Sequence, residues 1–450
     1  MLRIFEIAIV QAKIAYNSYG CHNQECCFFV LKEELERYGG PDVYIHKADR
    51  QEIRTEPLVI RANTGDYIDL HITDLTAYSG DDTDIMHSEV LIRRFYAGNE
   101  PGTILLHNYL FESLHQYYGL YGALVIEEYG TTFYNPHNNK KLRFGTRAVI
   151  RCRNGTSFRE FILFVHNCHS GAMGINYCTE PVTERLERVK NPAYIFSSFV
   201  HGDPATPILE TYPGDEIRIR LLDVTNTGYN SLNIPGIPVC MNKSILKITD
   251  NYSAGDYLYY LGKPDGKLDF LWGIVRVHKK YKKDLMPLYS EKEHVLPEFI
   301  SPGDGSIIRH YEIAAADTRI IHGKYKNYVF GNTGRMVFVL LKDLEMVLAG
   351  KTRPEPLTLY ANSGGWIEII LYNAFNTRIS LNPQSLQYEP LHNSGINVGY
   401  NEWEQTVAPG ESRRYLWYAG KNYKASCRLY SFGDMENSQY CGLAGTVISE

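Results

Sequence analysis

Hydrophobic and polar residues alternate with period two through much of this chain. Tyr67-Ile68-Asp69-Leu70, Glu216-Ile217-Arg218-Ile219 and Trp366-Ile367-Glu368-Ile369 are three clear instances. Such alternation sends successive side chains to opposite faces of a strand, one toward a core and one toward water. Helical periodicity is nearly absent. Leu31 to Tyr38 is the best short helix, and Lys342 to Ala349 is its counterpart late in the chain. Many short strands separated by turn signals predict an all-β protein built from sandwiches.

The alternating strands each follow a related turn, so the chain repeats itself. Glu56-Pro57-Leu58 leads to Ala62-Asn63-Thr64-Gly65-Asp66, and Glu355-Pro356-Leu357 leads to Ala361-Asn362-Ser363-Gly364-Gly365. Between them, Thr206-Pro207-Ile208 leads to Pro213-Gly214-Asp215. Arg3-Ile4-Phe5-Glu6-Ile7-Ala8 returns as Arg309-His310-Tyr311-Glu312-Ile313-Ala314. Each copy closes on a glycine-entered strand: Gly119-Leu-Tyr-Gly122, Leu271-Trp-Gly273 and Gly442-Leu-Ala-Gly445. The repeat predicts three units, residues 1–130, 140–285 and 305–450, joined by turn-rich polar segments.

Composition narrows the classes. With 44% hydrophobic and 22% charged residues over 450 positions, the chain is globular, and its length suits three domains. The net charge of -5 gives no electrostatic reason to expect nucleic acid or an anionic membrane as partner. No segment reaches the roughly 20 apolar residues of a membrane helix. The N-terminus reads as a strand and not as a signal peptide, so a cytoplasmic protein is expected unless a leader has been trimmed. Nine unevenly spread cysteines suit reduced thiols better than a disulfide framework.

The tract Glu100-Pro-Gly-Thr-Ile-Leu-Leu-His107-Asn-Tyr109, followed by Gly119-Leu-Tyr-Gly122-Ala-Leu-Val-Ile, resembles the end of a cupredoxin domain of the multicopper oxidase family. Gly255-Asp-Tyr-Leu-Tyr259 with Leu271-Trp-Gly273 resembles the same element in another domain. Gly174-Ile-Asn-Tyr-Cys-Thr-Glu-Pro181 and Asn397-Val-Gly-Tyr400 are similar to the branch that includes bacterial manganese-oxidising enzymes. The resemblance spans nearly the whole chain. It implies three tandem cupredoxin-like Greek-key β-sandwich domains and a descent from copper-dependent oxidoreductases.

That family holds a trinuclear copper cluster with four His-x-His pairs, because residues i and i+2 on a strand share one face. Here no two histidines are two residues apart, and there is no His-Cys-His. The first unit offers His87-Ser88-Glu89 and His107-Asn108-Tyr109. The third offers Asn382-Pro383-Gln384 and Tyr430-Ser431-Phe432. In the second, Asn230-Ser-Leu-Asn-Ile-Pro-Gly236 replaces the His-rich strand. An intact trinuclear cluster within one chain is not expected.

Three smaller donor sets remain. His87, Glu89 and His107, with His115 beyond, would supply two imidazoles and a carboxylate to one mononuclear copper, iron or zinc. The plain alternative is relic histidines satisfied by hydrogen bonds. His166-Asn-Cys168-His169 is a second set, weighed against ordinary loop and buried groups. Cys21-His22 with Cys26-Cys27 is a third, in which adjacent cysteines on a strand face opposite ways. Two functions are therefore expected as rivals: a copper-dependent oxidoreductase with a reduced mononuclear site, or a non-catalytic cupredoxin array serving as a structural or binding subunit. A protein partner or a second copy completing a site would suit either.

Overall fold

In a computed structural model of the chain, the residues described are 1–76, 90–107, 117–167, 173–228, 231–242, 245–249, 252–262, 271–289, 301–317, 336–421, 426–440 and 442–450. Strands dominate, and three tandem cupredoxin-like β-sandwiches follow one another along the chain.

The first unit contains β1 (Leu2–Ala15), β2 (His22–Leu31), β3 (Leu58–Asn63), β4 (Tyr67–Asp74), β5 (Val90–Tyr96), β6 (Gly102–His107) and β7 (Tyr121–Glu127). One sheet has the order β2-β1-β4-β5 and the other β3-β7-β6. The pairs β1/β4 and β3/β7 are parallel, which requires the chain to cross between sheets and gives the Greek-key path. Phe5, Ile7 and Ile68 of one sheet meet Ile60, Leu124 and Ile126 of the other in the core.

The second unit contains β8 (Thr132–Tyr134), β9 (Arg147–Arg151), β10 (Ser157–Asn167), β11 (Met173–Ile175), β12 (Leu209–Thr211), β13 (Ile217–Asp223), β14 (Leu232–Asn233), β15 (Cys240–Asn242), β16 (Ile245–Ile248), β17 (Gly255–Leu261) and β18 (Trp272–Val277). The third contains β19 (Ile308–Asp317), β20 (Met336–Leu340), β21 (Leu357–Ala361), β22 (Trp366–Asn373), β23 (Asn382–Pro383), β24 (Ser412–Tyr418), β25 (Ser426–Tyr430) and β26 (Ala444–Ser449). Their parallel pairs repeat those of the first unit: β10/β13 and β12/β18, then β19/β22 and β21/β26. The short strand β8 lies in the segment read as a joint and adds an edge to the second unit's sheet.

The repeated sequence phrases now have a cause. Gly65, Gly214 and Gly364 turn with φ of 81°, 79° and 74°, the left-handed region that favours glycine. An arginine on the neighbouring strand clasps each turn. Arg3 Nε donates to Asp66 Oδ2 at 2.5 Å, and Arg159 Nε donates to Asp215 Oδ2 at 2.5 Å. The third unit has Gly365 in place of the aspartate, and Arg309 Nε turns to Asn362 Oδ1 at 2.7 Å.

Burial follows position in the layers. In β21 the residues Leu357, Leu359 and Ala361 are buried while Thr358 and Tyr360 are exposed, as a half-wet strand requires. In β7 all seven residues are buried, and β10 is buried from Ser157 to His166. Those two strands face each other across the junction of the first and second units. Helices Lys32–Arg37 and Pro41–Asp49 cover the outer face of β1 through Leu35, Tyr44 and Ala48. The first and the helical turn at Leu344–Leu348 match the periodicity, whereas Pro41–Asp49 escapes it because only two of its residues are buried.

A candidate site at the junction of the first and second units

The strand pairing of β6 and β7 places His107 directly opposite Tyr121. Opposed residues on an antiparallel pair point to the same face. That face also carries Leu105, Ala123 and Val125, and it packs on Ile162 and Phe164 of β10. The Tyr121 ring lies 5.3 Å from the His166 ring and 5.0 Å from Tyr177. Tyr16 approaches the other side of His166 at 6.1 Å. Tyr121 thus lies opposite His107 of one predicted donor set in register, and its ring lies beside His166 of another.

The third set reaches the same place. Cys26 is buried in this cluster while Cys27 packs into the first unit's own core, so the adjacent thiols do face opposite ways. Tyr177 Oη donates to the carbonyl of Gly119 at 2.5 Å. Gly119 has φ of 100°, and a Cβ there would collide with the Cys26 sulfur and sit 3.4 Å from the Tyr177 ring. Gly174 is equally constrained, since its Cβ would lie 2.9 Å from His166 Nε2.

Electrostatics keep these groups neutral. Burial lowers the His166 pKa to about 4, against a backbone hydrogen bond at Asn167 that raises it. Burial also lowers that of His107. Burial raises the Cys27 thiol to about 11, with Asp74 and Glu25 acting the same way. Cys178 is raised by burial although Arg54 donates to its sulfur at 3.4 Å. Protonated thiols of this kind are poor nucleophiles and poor ligands.

Beside the cluster runs a buried charge network that sequence reading missed. Glu160 on β10 accepts from Arg220 Nε at 2.6 Å and from Arg61 Nη1. Arg220 also donates to Glu127 of β7, and to Thr103 Oγ1 at 2.8 Å. The two arginines and two glutamates come from both units. A charged residue within a strand ordinarily reads as a solvated face, and no local signal separates these from such residues.

Of the predicted donors, His107, His166, Cys21, His22, Cys26 and Cys27 fall among the described residues. His87, Glu89, His115, Cys168 and His169 lie outside them. Among the described residues no three His, Cys, Asp or Glu side chains converge. Copper needs several donors, so the described residues alone do not fit the ion.

The other positions set against the family's ligand positions in the sequence are engaged in hydrogen bonds and packing. Asn382 lies opposite Tyr430 in register, as Asn233 lies opposite Tyr260. Asn382 Nδ2 donates to the Ser394 carbonyl at 2.5 Å and to Tyr388 Oη at 3.1 Å. Gln384 Nε2 donates to Asn233 Oδ1 at 3.0 Å, joining the third unit to the second. Phe432 is buried against Phe196 at 6.2 Å.

The phrases read as branch signatures make contacts both within the second unit and between units. Asn176 Oδ1 accepts from the Phe164 amide at 2.7 Å. Glu180 accepts from Arg185 Nε at 2.6 Å and from Tyr19 of the first unit at 3.0 Å. Asn397 Nδ2 reaches the Ala193 carbonyl at 3.1 Å, and Tyr400 N reaches Asp256 at 2.8 Å.

No family model matches the chain, and no curated protein matches it. Among solved structures it is similar to a multi-copper oxidase from Pseudomonas Thermotolerans, at 12% identity over 100% of both chains with a TM-score of 0.37. It is similar to a copper-containing nitrite reductase from Thermus scotoductus SA-01, at 11% identity over 100% of this chain and 99% of that one, TM-score 0.35. It is similar also to the laccase from Botrytis aclada, at 12% identity over 99% of this chain and 87% of that one, TM-score 0.35. Likeness at this level says nothing of activity, and the cupredoxin-like assignment rests on the strand pairings of the three units.

Proposed function

We propose that this chain is a divergent multicopper-oxidase-like protein that serves as a structural or binding subunit and lacks a trinuclear cluster. One observation carries the reading: the Gln384–Asn233 hydrogen bond joins two positions that align with, or replace, the family's ligand strands. An amide pair in that role gives rigidity between units where imidazoles would give metal binding. A satisfied, half-buried polar contact of this kind contributes order to an interface.

A second reading is favoured by Tyr121 lying opposite His107 in register and beside the His166 ring. In it, a single copper sits beside β6, with His107 as a donor and the remaining donors drawn from His87, Glu89 and His115. Such an ion would exchange single electrons with a bound substrate.

Metal stoichiometry by mass spectrometry separates the two. Protein expressed with added copper, compared with His107→Ala, is expected to hold no stoichiometric metal in either form. Stoichiometric copper in the wild type that is lost in the variant would overturn the scaffold reading and establish the second.

A further inference from the structure

The three units present the same strand-end face differently. His107 opposes Tyr121 in the first unit, Tyr260 opposes Trp272 in the second, and Tyr430 opposes Ala444 in the third. Tyr121 and Trp272 are both 0% exposed, each buried where its unit meets the next. Ala444 is exposed. Where two units carry a large ring, the third carries the methyl group of Ala444, at the edge of an open space.

That space is a cavity of about 510 Å³ bounded by strand ends of the third unit. Val337, Pro354 and Pro356 line it with apolar surface that is not buried in the core, and Tyr430 lines it with an aromatic ring. Arg428 shares the open face with Tyr430 and Ala444, since alternate residues of a strand point the same way. Its guanidinium stands at the exposed side, hydrogen-bonded to Tyr430, with Glu355 also at the rim. Pockets of about 300–1,000 Å³ with mainly apolar walls and few polar groups suit small organic ligands.

We infer that this cavity binds a small aromatic carboxylate. The ring takes the volume that Tyr121 or Trp272 fills in the other units, and the carboxylate meets Arg428. A planar guanidinium is suited to a carboxylate because its paired N–H groups match the two oxygens. Glu355 repels a second negative charge, which selects monocarboxylates over dicarboxylates. The inference is independent of whether a metal is bound at His107.

Isothermal titration of the full chain with benzoate tests it, with benzyl alcohol as the neutral probe and phthalate as the dianion. Wild-type protein is expected to bind benzoate saturably and more tightly than phthalate. Ala444→Tyr restores the ring of the first unit and is expected to weaken benzoate binding by more than about tenfold. Arg428→Gln is expected to weaken benzoate by about fivefold while leaving benzyl alcohol within about twofold. Both positions are exposed, and an unchanged circular dichroism spectrum checks that the variants fold. Absence of saturable benzoate binding to the wild type would overturn the inference, as would undiminished binding by Ala444→Tyr.

Discussion

Replacing Glu160 with glutamine is expected to lower stability by about 3–5 kcal/mol, the cost of breaking a buried ion pair. Glu160 is 0% exposed, and its two oxygens serve two guanidiniums. The amide presents a donor to a donor, and leaves Arg220 with Glu127 and Thr103 and Arg61 with the Gly145 carbonyl. Three packed units need not unfold in one step, so the quantity to read is the urea midpoint of the first transition. Glu368→Gln is the control: its ion pair with Arg414 is largely exposed on the arginine side, and such pairs contribute at most about 1 kcal/mol. Equal midpoints for the two variants would show that the buried network contributes no more than a surface pair.

The same substitution has a pH signature. Burial raises the Glu160 pKa, but the charges of Arg220 and Arg61 outweigh it and hold the group below the ordinary carboxylate value. Its stabilising contribution is therefore present above about pH 4.5 and is lost as pH falls through the folded pKa. Glu127 is shifted upward, by burial and then by the charge of Glu160, and acts in the opposite sense. Removing Glu160 takes away its own depressed-pKa contribution, so the acid limb of the variant below about pH 4.5 should be shallower than that of the wild type, with the relief of repulsion on Glu127 acting against this.

Trp272→Ala is expected to cost about 3–5 kcal/mol, as for other large-to-small core changes. The indole is fully buried at the junction of the second and third units, and its Nε1 donates to the Glu180 carbonyl at 2.9 Å. The Arg185 guanidinium lies 4.7 Å above the ring and Phe196 meets it edge-on at 4.9 Å. Truncation opens a void and leaves the Glu180 carbonyl without this donor. The melting curve should shift down, and limited proteolysis should cut between the two units at a lower temperature than in wild type. An unchanged melting curve would mean that the junction does not depend on the indole.

The three-unit plan was legible because local rules wrote it. Left-handed glycines at 65, 214 and 364 and alternating strands recur in each copy, and both are short-range signals. Asn382 and Tyr430, set side by side by motif in the sequence, are also opposite each other in register. That Tyr121, opposite His107, packs beside His166 was not legible. It depends on how β7 lies on β10, a contact between units that neither segment encodes alone. The partnership of Glu127 with Arg220 was hidden for the same reason. Tyr121 and Tyr177 stood inside quoted phrases, yet their role as packing rings emerged only from the fold.

The burial of β10 on both sides has a consequence for biosynthesis. Ile162 and Phe164 are covered by the first unit, while Phe161 and Leu163 face the second unit's own core. A newly made second unit therefore has no finished surface until its predecessor is in place. Translation delivers the units in that order, and N-terminal domains generally fold first on the ribosome. The completed first unit acts as a template for the next, and a circularly permuted chain that emerged second unit first would display a sticky, aggregation-prone sheet.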